Sequence, residues 1–334
     1  MNAPLNRNRI LWALLAICLL LIPLGMSNYL TYLINLSGIY AIAIIGLNIL
    51  MGRGGQMFFG PVALMAMGAY GAASLANHLN FPFYISIPLS GVITSILSLT
   101  IAFPALRLRG LYLAMVSVGY HFILEQIIGG WDSFTGGYNG LNLKKASLGG
   151  IQLASDKAFY YIILLAVVLC FLGARNLMKM RVGRAIWALG QDPVAASIQG
   201  INVTSYKIAA FMVCAFYCGI SGGLMAHYLR YITPYHFTIA IAIMLLVGMI
   251  VGGWGSLGGS IMGGFFVTFL PEVIGFFKDS FLGASVALYD AQETISGILI
   301  IVVVIFIPKG LAEWVKEFKS RWSYHQREGG DSDR

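Results

Sequence analysis

The feature that most constrains this chain is a succession of apolar stretches, each about as long as a bilayer is thick. A helix needs about 20 predominantly apolar residues to cross the hydrocarbon core. Ten such stretches can be drawn, roughly at 10–25, 30–51, 57–77, 83–103, 111–129, 159–176, 206–229, 237–252, 257–277 and 291–308, each bounded by a charge, a proline or a polar cluster. Only 10% of the residues are charged and 58% are hydrophobic, against about 25% charged in a soluble domain. A water-soluble fold of this size could not cover that much apolar side chain. A soluble enzyme, a nucleic-acid binder and a disordered protein are thereby excluded. The 40 glycines fit the same reading, because closely packed membrane helices favour small residues. The predicted fold is all-α: a polytopic transmembrane bundle of about ten spans over 1–308, followed by a charged cytoplasmic tail at 309–334.

Charge placement sets the orientation. Of the 21 Lys and Arg residues, only Lys144, Lys145, Lys157, Arg230 and Lys278 fall in segments that would lie outside if the amino terminus is inside. The excess of positive charge within predicts cytoplasmic termini and contact with anionic lipid, not nucleic acid. Arg7 and Arg9 precede the first stretch with no small-x-small site after it, so that stretch reads as a retained anchor. Glycine-rich connections at Gly52–Gly55 and around Gly252–Gly255 leave two alternatives for the second or third span, and for the eighth or ninth: a continuous helix, or a broken or re-entrant one.

Catalytic and metal-binding patterns are missing from the sequence. There is no GxxxxGK[ST], HExxH or GxSxG. Cys18, Cys170, Cys214 and Cys218 lie within apolar runs without metal spacing and read as small buried hydrophobes. His121 and Glu125 share one helix face. They fit a proton or substrate site, or an interfacial pair reaching the outer headgroups, and the interfacial placement is the expectation. His227 is expected at the same interface, with Tyr228, Tyr231 and Tyr235 in an aromatic belt. Gly219, Gly222 and Gly223, then Gly248 with Gly252 and Gly259 with Gly263, have the spacing of close helix packing.

The longest inner connection, 177–206, reads RVGRAIWALGQDPVAASIQGINVTSYK from Arg181 into the next span. Asp192 before Pro193 is a helix start and Gly200 a helix stop. A capped helix here either docks into a partner's groove or merely ties two spans together.

At these residues the chain resembles the membrane subunits of ATP-binding-cassette importers. Ala195, Ala196 and Gly200 match their Glu-Ala-Ala…Gly coupling motif, with Val194 in place of the Glu and Asp192 two residues upstream. Two further stretches are similar to the branched-chain amino acid (LIV-type) permeases. Gly46, Asn48, Gly52, Gly55, Gln56, Gly60, Gly68 and Tyr70 match GLNLLxGxxGQxSxGxxAFxxxGAY, with Pro61 where a His is frequent. Gly252–Glu272 matches GGxGSxxGPxxGA…LPE, with Ser260 for the usual Pro. The resemblance is closest to LivM-like subunits.

The resemblance implies a permease of the bacterial inner membrane, paired with a LivH-like second permease. It also implies two cytoplasmic ATPases that carry ATP and Mg²⁺, and an extracytoplasmic solute-binding protein. This chain would hold no cofactor of its own. The solute would be a branched-chain amino acid or a related small polar molecule. Asn48, Gly52, Gly55 and Gln56 are candidates for the pathway, because broken backbone within a membrane must line a cavity or be buried. Asn48 and Gln56 equally suit interhelical hydrogen bonds. The competing class is a stand-alone channel or ion-coupled carrier for a small amide or amino acid, which the sparse deep charge disfavours.

Overall fold

The computed structural model describes residues 25–281 and Pro23, apart from 109, 145–146, 149–150 and 153–154. Nearly all of the expected first span, the tenth span and the tail at 309–334 lie outside the described residues.

The chain opens on α1 (Asn28–Leu47), capped by Ser27, whose hydroxyl accepts from the Leu30 amide at 3.3 Å. It runs into a π-helical turn at Asn48–Arg53. The residues after that turn are not helical until α2 (Pro61–Asn77), which starts on a proline at its first position. α3 (Phe83–Leu97) and α4 (Leu99–Ala105) form one bent rod, and α5 (Leu111–Gly130) follows. Next come the short α6 (Asp132–Thr135) and strands β1 (Leu141–Asn142), β2 (Ser147–Leu148) and β3 (Ile151–Gln152). α7 (Asp156–Lys179) leads to α8 (Arg181–Gln191) and α9 (Pro193–Ile198), both within loop 177–206. α10 (Val203–Leu229), β4 (Tyr231–Ile232), α11 (Ile239–Gly252) and α12 (Leu257–Phe281) complete the described chain.

Among the described residues six helical segments are long and apolar enough to cross a membrane: Asn28–Arg53, Phe83–Ala105, Leu111–Gly130, Asp156–Lys179, Val203–Leu229 and Pro234–Gly252. The expected third and ninth spans are represented by α2 and by the apolar stretch Leu257–Val273. α2 has 17 residues and α11 has 14. At 1.5 Å per residue these reach about 26 and 21 Å, short of the ~30 Å core. The non-helical 55–60 segment precedes α2, and a 3₁₀ turn at Pro234–His236 extends α11 to the 19-residue span Pro234–Gly252. The helices break at the glycine-rich stretches 52–55 and 253–255, where the sequence left continuity open, and the 3₁₀ turn at Pro234–His236 adds an irregular start to α11.

α10 is the axis. It packs against α1, α2 and α3, while α12 packs on α1 and α11, and α7 on α1. Its glycines permit this. A Cβ on Gly219 would meet Thr94 at 2.8 Å and the Gly91 backbone at 2.9 Å, and one on Gly223 would meet the Ser90 hydroxyl at 2.7 Å. Gly248, Gly252, Gly259 and Gly263 line the crossing of α11 and α12, where backbone touches backbone. Cys214 and Cys218 are fully buried on α10. Hydroxyls inside the bundle bond back to helix carbonyls, as with Thr94 to Ser90 O at 2.8 Å.

The end opposite loop 177–206 is closed by a small cap. β1 pairs antiparallel with β4, and Asn77 donates to the Asn142 carbonyl at 2.7 Å. Tyr231 and Tyr235 are exposed there, but Tyr228 is buried and donates to Asp156 at 3.1 Å. His227 is buried as well, with Nε2 at 2.7 Å from the Ser86 hydroxyl. An interfacial place for these two residues is thus corrected. α10 is enclosed by α2 and α3 to its last turn, so its final residues meet protein instead of headgroups.

Candidate functional site

The three stretches that carry the family resemblance lie far apart in sequence, and the fold brings them to one end of the bundle. The π turn is the centre. Its widened backbone leaves the Gly54 amide bonded to Ile49 O at 3.0 Å and the Gln56 amide to Leu50 O at 3.3 Å, so the helix unwinds into the 55–60 segment without orphaning those groups. Asn48 is buried on this turn. Its Nδ2 faces Gly253 O at 3.2 Å, Ser256 O at 3.0 Å and Ser260 Oγ at 3.0 Å, and its Oδ1 accepts from the Gly255 amide at 2.7 Å. One side-chain amide thereby satisfies the break between α11 and α12. Arg53 adds a bond from Nε to Gly255 O at 3.0 Å. Gly52 faces the Gly255 backbone so closely that a Cβ would lie 2.6 Å from its nitrogen.

Loop 177–206 seats against the other side of the same turn. Gly190, near the end of α8, lies against the Arg53 carbonyl and the Gly54 backbone. Gly55, at φ +65°, has Gly190 Cα 3.1 Å from where a Cβ would be. A cavity of about 130 Å³ opens beside this contact. It is lined by Gly55 and the buried Gln56, by Gly110 and Leu113 at the start of α5, by Leu189 and Pro193 of the loop, and by Lys207.

α9 is built from local signals. The Asp192 carboxylate accepts from the Val194 amide at 2.7 Å and the Ala195 amide at 3.3 Å, and Pro193 occupies the first helical position. The helix ends with Ile201 N bonding Ala196 O at 3.1 Å and Gly200 N bonding Ser197 O at 3.0 Å, with Gly200 at φ +80°. This is a Schellman stop, whose left-handed residue is easiest for glycine. Ala196 is buried beneath α9 while Ala195 faces out. The outward face is apolar: Trp187 is 54%, Val194 59% and Ile198 82% exposed.

The fold thus joins Asn48 and Gly52 to the Gly253–Ser260 stretch, and Gly55 and Gln56 to the loop that carries Asp192, Ala195, Ala196 and Gly200. Sequence reasoning did not single out Gly190, Arg53 or the trio Trp187, Val194 and Ile198. The i, i+4 spacing of Val194 and Ile198 in a capped helix was the available signal for the last two. Nothing local marked Gly190, whose partner lies over a hundred residues away. His121, expected at an interface, is instead buried midway along α5 against α2 and the 233–238 segment.

Comparison with known proteins places the chain among transport permeases. A family model described as "Branched-chain amino acid transport system / permease component" matches residues 29–308. The high-affinity branched-chain amino acid transport system permease protein LivM of Salmonella typhimurium is 30% identical over 258 residues, covering 70% of this chain and 61% of the relative. The Probable branched-chain amino acid transport permease protein LivH of Methanocaldococcus jannaschii is 24% identical over 308 residues, covering 89% of this chain and 96% of the relative. The guanosine ABC transporter permease protein NupQ of Bacillus subtilis is 27% identical over 125 residues, covering 36% of this chain and 39% of the relative. The chain spans 61% of the length of the LivM relatives it matches. No solved structure matches it.

Proposed function

The chain belongs to the family of branched-chain amino acid transport permeases, and we propose that it is one membrane-spanning half of an ATP-driven importer for branched-chain amino acids or a related small polar solute. The family is one of transporters, not enzymes. In this reading ATP and Mg²⁺ are held by two cytoplasmic ATPase subunits. A second, LivH-like permease completes the pathway, and an extracytoplasmic binding protein delivers the solute. The chain sits in a bacterial inner membrane with ten spans, its termini and loop 177–206 facing the cytoplasm.

The observation that carries the proposal is the seating of loop 177–206 on the π turn, which is itself tied to the break between α11 and α12. α9 offers Val194 and Ile198, with Trp187 from α8, as an apolar knob for an ATPase groove. α8 abuts the π turn at Gly190. The π turn is tied through Asn48 and Arg53 to the Gly253–Ser256 turn. Closure of the ATPases on ATP therefore pulls the inner ends of α1, α2, α11 and α12 as one piece, and the pathway changes sides. In this mechanism Asn48 and Gly52 brace the joint, while Gly55 and Gln56 face the cavity at its inner mouth. The test is reconstitution with the four partner subunits and uptake of labelled leucine, urea and benzoate. Uptake of leucine that requires ATP supports the proposal. Uptake driven by an ion gradient with no ATPase present supports the carrier reading instead.

A further inference from the structure

His121 is 2% exposed, and neither ring nitrogen has a hydrogen-bond partner among the described residues. It lies midway along α5, at the depth where transporters tend to hold their solutes. A buried imidazole with both nitrogens unbonded is costly and calls for an explanation. Three surroundings supply one. The side chain lines a small cavity, about 10 Å³ or room for one water, together with Ala63, Ala66, Glu125, Ile128 and Phe237. Ala63 belongs to the first turn of α2, a helix of 17 residues that begins inside the bundle, where Phe59 N bonds the Ser117 hydroxyl of α5 at 2.8 Å. Glu125, one turn from His121, has an oxygen 3.9 Å from Nε2 and is the nearest acidic group.

Phe237 covers the cavity from the end of the 3₁₀ turn Pro234–His236. Its ring also leans on Tyr70, 6.4 Å between centroids, and the Tyr70 hydroxyl is a second buried group without a partner among the described residues. Two orphaned polar groups therefore flank one aromatic side chain, held at the junction between the 3₁₀ turn and α11.

We propose that His121 and Glu125, facing Ala63 and Ala66 of α2, form a solute station that is closed in this structure, with Phe237 as its cover. The station takes a small zwitterionic amino acid with an apolar side chain. The carboxylate bonds His121, the ammonium bonds Glu125, and the side chain lies on Ala66 and Ile128. Withdrawal of Phe237 makes room and uncovers the Tyr70 hydroxyl. This inference rests on the importer reading above.

The experiment uses the complete complex in liposomes. ATP-dependent leucine uptake by the unmodified complex tests the importer reading on its own, before any variant is compared. His121→Leu then removes two orphaned polar atoms, so a purely packed histidine predicts a complex at least as heat-stable with unchanged uptake. The station predicts normal assembly and ATPase stimulation by loaded binding protein, with uptake lowered by about tenfold or more, the worth of one hydrogen bond to a charged group. Glu125→Gln is expected to lower leucine uptake similarly. If His121→Leu fails to assemble, labelling of Ala66→Cys by a small methanethiosulfonate decides. Labelling during turnover supports a cavity that opens to water. No labelling at rest or in turnover, or full uptake by assembled His121→Leu, overturns the proposal.

Discussion

Replacing Gly190 with alanine tests the joint between loop 177–206 and the π turn. The added Cβ would overlap the Arg53 carbonyl and stand 3.2 Å from the Gly54 carbonyl carbon. Both neighbours are backbone on a turn pinned by Asn48 and Arg53, so neither can swing aside, and α8 must back away. Overpacking of this kind costs about 1–3 kcal/mol. Applied to the seated joint alone, that is a loss of about 5- to 150-fold in its population. The contact lies at the edge of the bundle and not at its α10 axis, so the complex should still assemble. The expected phenotype is ATP hydrolysis that continues while solute uptake falls, measured in liposomes as the ratio of ATP consumed to leucine accumulated. Gly71→Ala is the control, because its Cβ would meet only Ser90 at 3.8 Å, an ordinary contact. A Gly190→Ala complex with the wild-type ratio would refute the view that force passes through this contact.

Asp192→Ala removes the α9 cap at a cost of about 1 kcal/mol, and Asp192→Asn should restore most of it; retention of the ATPase subunits on the tagged permease, compared across the three proteins, checks this. Ile198→Asp places a charge on the most exposed apolar side chain of the loop and should abolish ATPase co-purification with heat stability unchanged, whereas a drop in stability would mean that the residue packs against its own chain. Asn48→Ala leaves the Gly255 amide and two carbonyls of the α11–α12 break without their partner, and each unsatisfied buried group costs about 1–3 kcal/mol. The melting temperature of the purified complex should fall clearly, and an unchanged value would show that water replaces the side chain.

The features that could be read before the structure are those set by neighbours in sequence. Asp192, Pro193 and Gly200 mark the ends of α9 by capping chemistry that needs nothing beyond a few residues. The glycines at 52–55 and 253–255 mark where a helix can break, and the structure decides that it does. The long-range half was not legible. Asn48 finds its partners more than two hundred residues away, and an asparagine in an apolar run reads equally as a solute contact or a brace. Gly190 has no distinguishing neighbours, and its significance is its distance to Arg53. Ala195 and Ala196 look alike in sequence, but the turn of a short helix exposes one and buries the other. His121 and His227 were expected near headgroups because helix ends were counted from hydropathy. α3 encloses His227 through Ser86 and Phe83, and α2 with Pro234 and Phe237 encloses His121, contacts that have no hydropathy signature.

The central claim is that solute crosses only when loop 177–206 is driven by an attached ATPase. The most direct measurement is labelled leucine entry into liposomes holding the two permeases, with and without the ATPase subunits and ATP. The account predicts accumulation with ATP in the complete complex, none with the permeases alone, and none when Ile198→Asp detaches the ATPases. Equal leucine entry through the permeases alone would contradict it.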